Sequence, residues 1–252
     1  MSARSLFTAA LVISLTPMVA CAADTWQFRF TPYLWFAGLK GDVATIPGAP
    51  SAPIDISPSD ALNDTETGVM LLFDAKRRGR GVFADFIYTD VRSDEELLPD
   101  PIRLTLRSVT RTTIFSLAYQ HEVFNREQAV VDLLLGARYW KIDSALRFGG
   151  GSGLLAGRKV THDESWIDPM VGLKGRMPLG NSNFYIQGAA GLGGFGLGSD
   201  LFYEFNGAIG YQWNKAIGTA VGYRLFDVDY EDGGFLYDAT QQGWQLGLTW
   251  AF

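Results

Sequence analysis

Residues 241–252 read QQGWQLGLTWAF. Trp244, Leu246, Leu248, Trp250 and Phe252 share one parity, and Gln241, Gln245 and Thr249 occupy the other. A period of two marks a β-strand whose faces meet two different environments. A strand of a water-soluble sandwich would alternate too, but its apolar face would turn inward and carry few rings at its ends. Here the apolar face carries rings at both ends. Aromatic rings prefer the lipid headgroup level, and girdles of them flank the apolar band of membrane barrels. The segment therefore predicts a membrane-crossing strand with its apolar parity toward lipid and its polar parity toward a lumen.

The same reading extends upstream. From 201, Leu201, Tyr203, Phe205, Ile209, Tyr211 and Trp213 oppose Glu204, Asn206 and Gln212. From 166, Ile167, Pro169, Val171, Leu173 and Met177 alternate with Asp168, Met170, Gly172, Lys174 and Arg176. From 129, Ala129, Val131, Leu133, Leu135, Ala137 and Tyr139 oppose Asp132, Gly136, Arg138 and Trp140. From 26, Trp26, Phe28, Phe30, Leu34 and Phe36 oppose Gln27, Arg29, Thr31, Tyr33 and Trp35. The second parity is polar and Gly-rich, as a narrow lumen requires. Each strand signal is weak, but their series predicts an all-β fold, a transmembrane antiparallel up-and-down β-barrel.

Composition agrees. At 47% hydrophobic and 19% charged residues the chain has ample apolar surface to bury, which excludes a disordered protein. Beyond the N-terminus no stretch approaches the ~20 apolar residues of a spanning helix. One cysteine excludes an internal disulfide framework and a cysteine-based metal cluster. Arg4 followed by the apolar run Leu6 to Leu15 and then Ala20-Cys21-Ala22 reads as a signal peptide over residues 1–22, leaving a barrel domain over 23–252. Met18-Val19-Ala20-Cys21 only loosely matches a lipobox, so cleavage without lipidation of Cys21 is expected. Removing Arg4 from 21 basic residues leaves 20 against 27 acidic ones, a charge of -7. That argues against nucleic acid, which wants clustered Lys and Arg.

Roughly ten strands follow, with eight to twelve admissible: 25–37, 65–76, 81–92, 103–121, 128–142, 164–178, 184–195, 201–213, 216–227 and 240–252. With a periplasmic N-terminus, the even-numbered connections are short: Arg77 to Arg80, Glu122 to Glu127, Leu179 to Asn183, and Asn214-Lys215. The odd-numbered ones are longer, led by Gly38 to Asp64 and Asp143 to Asp163. Short periplasmic turns opposite long external loops are the asymmetry of outer-membrane barrels, and an even strand count returns the C-terminus to the periplasm. Pro32 and Pro169 fall inside strands, where proline removes a ladder donor, and are expected to mark bulges across which parity slips. In the first loop, Val43 to Ile46 and Ile54 to Ser57 flank a Pro-rich bend. They form either a hairpin reaching past the membrane or two further spanning strands.

Several segments resemble a group of small, mostly uncharacterised proteobacterial outer-membrane β-barrel proteins. They are Pro32-Tyr33-Leu34-Trp35 with Gly38 and Gly41-Asp42-Val43; Gly136-Ala137-Arg138-Tyr139-Trp140; Trp166-Ile167-Asp168-Pro169 with Gly172; residues 193–200, GGFGLGSD; Gly222-Tyr223-Arg224; and Asp229-Tyr230. The resemblance implies the barrel and its membrane and brings no activity with it. Leu248, Trp250 and Phe252 look like the C-terminal signal that barrel-assembly machinery reads. The glycines of 193–198 suit a tight loop needing positive φ; no helix and no Lys-Ser/Thr follows to make a phosphate cradle.

The inward parity carries Arg29, Asp74, Lys76, Asp85, Asp132, Arg138, Asp168, Lys174, Arg176, Glu204 and Arg224. A selectivity filter tends toward one sign of charge. This set is nearly balanced and is expected to pair off and fill the narrow lumen. The expected role is structural or surface-interacting, without enzymatic activity or cofactor. The alternatives are a narrow passive channel for small or apolar solutes and, third, a hydrolase centred on His162 beside Asp163, Glu164 and Ser165. His121 is expected at a periplasmic strand end. Acidic residues gather in the predicted outer loops: Asp42, Asp55, Asp60, Asp64, Asp94, Glu95, Glu96, Asp100, Asp163, Asp229, Glu231 and Asp232. The expected partners are outer-membrane lipid, lipopolysaccharide and the assembly machinery, with both termini in the periplasm.

Overall fold

A computed structural model describes residues 25–47, 50–98, 104–126, 129–149 and 157–252. The signal peptide, its cleavage site and Cys21, and also Asp100, lie outside the described residues. The strands are β1 (Gln27–Ala44), β2 (Ala52–Ile56), β3 (Thr65–Arg77), β4 (Arg80–Leu98), β5 (Leu104–Arg126) and β6 (Ala129–Gly149), followed by β7 (Lys159–Pro178), β8 (Phe184–Gly194), β9 (Leu201–Gln212), β10 (Ile217–Asp232) and β11 (Phe235–Ala251). One short helix, α1 (Pro58–Asp64), precedes β3. Sequential antiparallel pairing runs from β3 to β11, and β1 pairs with both β3 and β11. The sheet thus closes into a ten-stranded barrel, with β2 attached to β1 alone.

The closing seam explains β2. β1 pairs with β3 from Gln27↔Lys76 only as far as Pro32↔Leu71, and with β2 from Leu39↔Ile56 to Val43↔Ala52. Between the two ladders lies the turn into α1, where the Ser57 hydroxyl accepts from the Asp60 amide and Pro58 opens the helix. Gly38 makes the corner possible, because a Cβ there would stand 2.7 Å from the Ile56 carbonyl oxygen. The first-loop segments are therefore a hairpin beyond the barrel circuit rather than two more spanning strands.

Neither proline shifts the parity, contrary to the sequence expectation. Phe30↔Trp250 and Tyr33↔Gly247 keep one register across Pro32, where pairing is merely interrupted. β6 and β7 stay in step from Val130↔Arg176 to Arg147↔Lys159, with Pro169 opposite Ala137. Pro169 sits one residue past the first pair with β8, Met170↔Gly193, so its missing donor costs that ladder nothing. Register shifts occur instead at Thr65/Thr67, Glu96/Leu98 and Glu122/Phe124.

Outward side chains form an apolar band. Ile167, Phe205 and Trp244 are 60%, 56% and 63% exposed, an apolar surface that water would not tolerate at this extent. At the end carrying the short turns, Thr25 and Phe252 (the turn end) the band is edged by Trp26, Phe28, Tyr119, Tyr211, Trp213 and Phe252. At the other end (the hairpin end) Tyr88, Tyr139, Tyr203 and Trp244 edge it. On β6 the band runs from Ala129 to Tyr139, matching the ~9–11 residues of a tilted crossing strand.

Strands continue well past the band, which corrects several expected boundaries. β5 and β6 have 23 and 21 residues, and β10 and β11 meet at Gly233-Gly234, both at positive φ, where a long loop was expected. Beyond the band the polarity of the two faces reverses. On β10, Phe226, Val228 and Tyr230 turn inward and are buried, while Asp229 and Glu231 face out. On β6, Ile142 is fully buried while Lys141 and Asp143 face out. Asp42, Asp94, Asp163, Asp229, Glu231 and Asp232, expected in loops, therefore stand on strands, and Asp55, Asp60 and Asp64 on β2 and α1. β5 also runs on beyond His121, which faces outward against the Tyr119 ring at 6.5 Å rather than ending the strand.

Candidate functional site

The polar, Gly-rich interior foreseen for the whole lumen holds only within the membrane band. The interior has three tiers, two packed and one, at the turn end, open around a cavity. The middle tier is a hydrogen-bonded chain across its width. Tyr33 donates to Asp85 at 2.8 Å, and Arg224 donates to Tyr33 at 2.9 Å, to Asp85 at 2.8 Å and to Glu204 at 3.0 Å. Arg138 donates to the same Glu204 oxygen at 2.8 Å and to the Ser116 hydroxyl at 2.7 Å. Six strands thus contribute to one network: β1, β4, β10, β9, β6 and β5. Arg138 is 1% exposed and Arg224 4%. Guanidinium and carboxylate are costly to bury singly, and the pairing offsets that desolvation.

Toward the hairpin end lies an aromatic tier. The Arg138 guanidinium is 4.6 Å from the Phe202 ring centre and 4.9 Å from that of Phe226. Trp140 stacks on Trp166 at 5.4 Å, and Trp166 on Tyr230 at 3.8 Å. Phe235 and Tyr237 complete the plug. Asp168, assigned to the lumen from its parity, is fully buried here, away from the other charges. One oxygen accepts from the Trp140 indole at 2.8 Å, the Trp166 indole at 3.2 Å and the Ser199 hydroxyl at 2.8 Å; the other accepts from the Ser199 amide at 2.6 Å. Ser199 reaches it because the β8–β9 loop turns tightly, with Gly194, Phe195 and Gly196 at positive φ. Gly198 is needed for proximity: an added Cβ would meet Asp168 Oδ1 at 2.4 Å.

Toward the turn end the remaining lumen charges surround a cavity of about 730 Å³, whose floor is Asp85, Glu204 and Arg224 and whose mouth is formed by turn residues such as Gly79, Ser182 and Asn183. Lys76 bridges Asp132 at 2.5 Å and Glu122 at 2.6 Å, and Lys174 is paired with Asp74. Arg176 donates to Gln212 at 2.6 Å and lies 3.6 Å from the Tyr185 ring centre. Among the described residues the Arg29 guanidinium makes no hydrogen bond or ion pair, while the Arg29 backbone pairs with Asp74 and Ala251. The parity reading had no signal for the bridging hydroxyls of Ser116 and Ser199 or for the Tyr185 ring under Arg176, because each role depends on what the barrel brings opposite it.

His162 faces inward at the hairpin end. Its Nε2 is 3.3 Å from Glu164, which also accepts from Tyr230 at 3.2 Å, and its ring lies 5.8 Å from Phe235. Asp163 and Ser165 point to the opposite face and are exposed, so they do not join it. Ser144 stands across the ladder from His162, but it is 4% exposed and makes no hydrogen bond to the imidazole. Leu248, Trp250 and Phe252 lie on the outward face, where the Phe252 and Phe28 rings stack at 5.5 Å and their backbones exchange two 3.0 Å hydrogen bonds.

No protein-family model and no curated protein matches the chain. Among solved structures it is similar to the outer membrane protease OmpT from Escherichia coli, with a TM-score of 0.59 and 11% identity over 93% of this chain and 99% of that one. It is also similar to the translocator domain of the autotransporter NalP from Neisseria meningitidis, with a TM-score of 0.45 and 11% identity over 92% and 90% of the two chains. A further match is the attachment invasion locus protein Ail of Yersinia pestis, with a TM-score of 0.35 and 12% identity over 90% and 98%. At such identity the likeness to the protease is one of fold, that of an outer-membrane β-barrel.

Proposed function

We propose that the protein is a non-conducting, non-enzymatic barrel of the outer membrane that presents its hairpin end for interaction at the cell surface. In this reading the turns and both termini face the periplasm, the apolar band meets lipid, and the acidic hairpin end meets lipopolysaccharide. The observation that carries it is the buried chain from Tyr33 through Asp85, Arg224, Glu204 and Arg138 to Ser116, backed by the aromatic plug. A solute crossing the barrel would have to part both. Opening the middle tier would leave desolvated charges unpaired, at a cost of several kcal/mol each.

The test is conductance of the purified protein in a planar bilayer. Wild type is expected to show no sustained openings, and replacing Arg138, Asp168 and Arg224 together by Ala is expected to create them. Stable, ion-selective openings in wild type would overturn the reading in favour of a narrow passive channel. A hydrolase reading draws support from the His162–Glu164 pair. It would gain ground if the protein cleaved lipid or peptide and His162→Ala abolished that cleavage.

A further inference from the structure

The cavity at the turn end carries a charge imbalance that the middle tier does not. Its carboxylates are all engaged: Asp74 by Lys174, Asp132 and Glu122 by Lys76, and Asp85 and Glu204 by Arg224, with Arg138 also on Glu204. Arg77 and Arg78, at the turn that forms the mouth, make contacts of their own, and the guanidinium groups of Arg29 and Arg176 remain without a carboxylate in ion-pair contact among the described residues. Arg176 has one neutral acceptor, the Gln212 amide, and otherwise rests on the face of Tyr185. The Arg29 guanidinium makes no hydrogen bond or ion pair among the described residues, and its neighbour across the ladder, Asp74, is already held by Lys174. Asp132 is the carboxylate that attracts Arg29, and it is already held by Lys76. In a chain of net charge -6, an enclosed space with surplus positive charge is an arrangement that self-repulsion opposes.

We propose that this vestibule binds a small solute carrying a phosphate or carboxylate group, with the oxyanion seated between Arg29 and Arg176. A guanidinium presents paired N–H donors in a plane that matches two oxygens of either group. Gln187 and Asn206 line the same space, and the Gln187 amide and the Asn206 NH2 can supply neutral hydrogen bonds to the rest of the ligand. At about 730 Å³ the cavity lies within the ~300–1,000 Å³ range of small-molecule sites, so it admits more than a bare anion. The site is blind, ending at Arg224, so binding does not require that the barrel conduct.

Isothermal titration of the folded protein in nonionic detergent, at fixed ionic strength in chloride, decides the matter. Sodium phosphate and sodium succinate serve as separate probes, phosphate standing for phosphate esters and succinate for carboxylates. At least one should bind saturably at one site. Arg29→Gln and Arg176→Gln should each weaken it at least tenfold, while Lys40→Gln, on the outer face, should leave it unchanged. Without anion, Arg29→Gln should unfold at the same or a higher temperature than wild type, because a like charge has been removed. Phosphate or succinate should raise the unfolding temperature of wild type but not of this variant. Absence of saturable binding by both probes, or undiminished binding in Arg29→Gln, overturns the proposal. So does an Arg29→Gln protein that unfolds at lower temperature and a wild type that neither anion stabilises, since that pattern assigns Arg29 a purely structural part.

Discussion

Asp168 is a carboxylate buried without an ion-pair partner among the described residues, and four donors take the place of a cation. Hydrogen bonds to an ionised group are worth about 1.5–3 kcal/mol each, and a donor left facing another donor forfeits its bond outright. Asp168→Asn turns an NH2 toward one or more of these donors. It should lower the unfolding free energy by about 2–3 kcal/mol, measured by denaturant titration of the refolded protein. An unchanged midpoint would show that the donors have other partners. The parity of residues 166–177 was enough to send Asp168 inward. Its role was not legible, because Ser199 lies 31 positions away on a loop whose path depends on three positive φ angles and on Gly198. Arg138, Asp85, Glu204 and Arg224 were likewise placed by parity, while the partner each one takes follows from cross-barrel distances that no local pattern encodes.

At the scale of the strand, one rule of alternation serves two solvents. In the band, apolar residues face out and polar residues face in; beyond it, the same alternation continues with the two roles exchanged. A reading that searches for an outward apolar parity therefore stops β1, β4, β6, β7, β10 and β11 short of the hairpin end, while the bounds of β3, β5, β8 and β9 at that end were met to within a residue. This is why β10 was expected to stop at 227 although Val228, Tyr230, Phe235 and Tyr237 keep their period, and although Asp232-Gly233-Gly234 is a hairpin signal. The reversal also places Asp42, Asp238 and Asp229 directly opposite one another on three adjacent strands. Burial, then Asp229, Asp227 and Asp42, raise the pKa of the Asp238 carboxyl above its ordinary value. An acid whose folded-state pKa is raised disfavours folding once ionised, so stability is gained as pH falls through that pKa toward the unfolded value. Asp238→Asn should raise the unfolding temperature at neutral pH and shrink the gain seen on mild acidification. Equal pH profiles in the two proteins would contradict this.

At the scale of the molecule, two chemically distinct barrels are stacked on one sheet. The closing seam between β1 and β11 runs through both, and Phe252 fastens its turn end by exchanging backbone hydrogen bonds with Phe28 and stacking on its ring. Phe252→Ala should lower the fraction of protein that runs as the folded, heat-modifiable form on unheated gels more than it lowers synthesis; equal folded fractions would sink that expectation. The central claim is that a wet vestibule, a dry plug and a lipid-facing band occupy defined positions along the strands. Single cysteines introduced into the barrel domain 23–252, which has none of its own, test it directly when challenged with a charged thiol reagent after reconstitution into detergent-permeabilised vesicles. Gln187→Cys in the vestibule and Asp143→Cys on the outer face of the hairpin end should react rapidly. Leu135→Cys, shielded by lipid, and Ile142→Cys, one residue from Asp143 but inside the plug, should both resist. Reaction of Ile142→Cys at the rate of Asp143→Cys in a folded barrel would mean that water runs through the lumen and that no dry plug closes it.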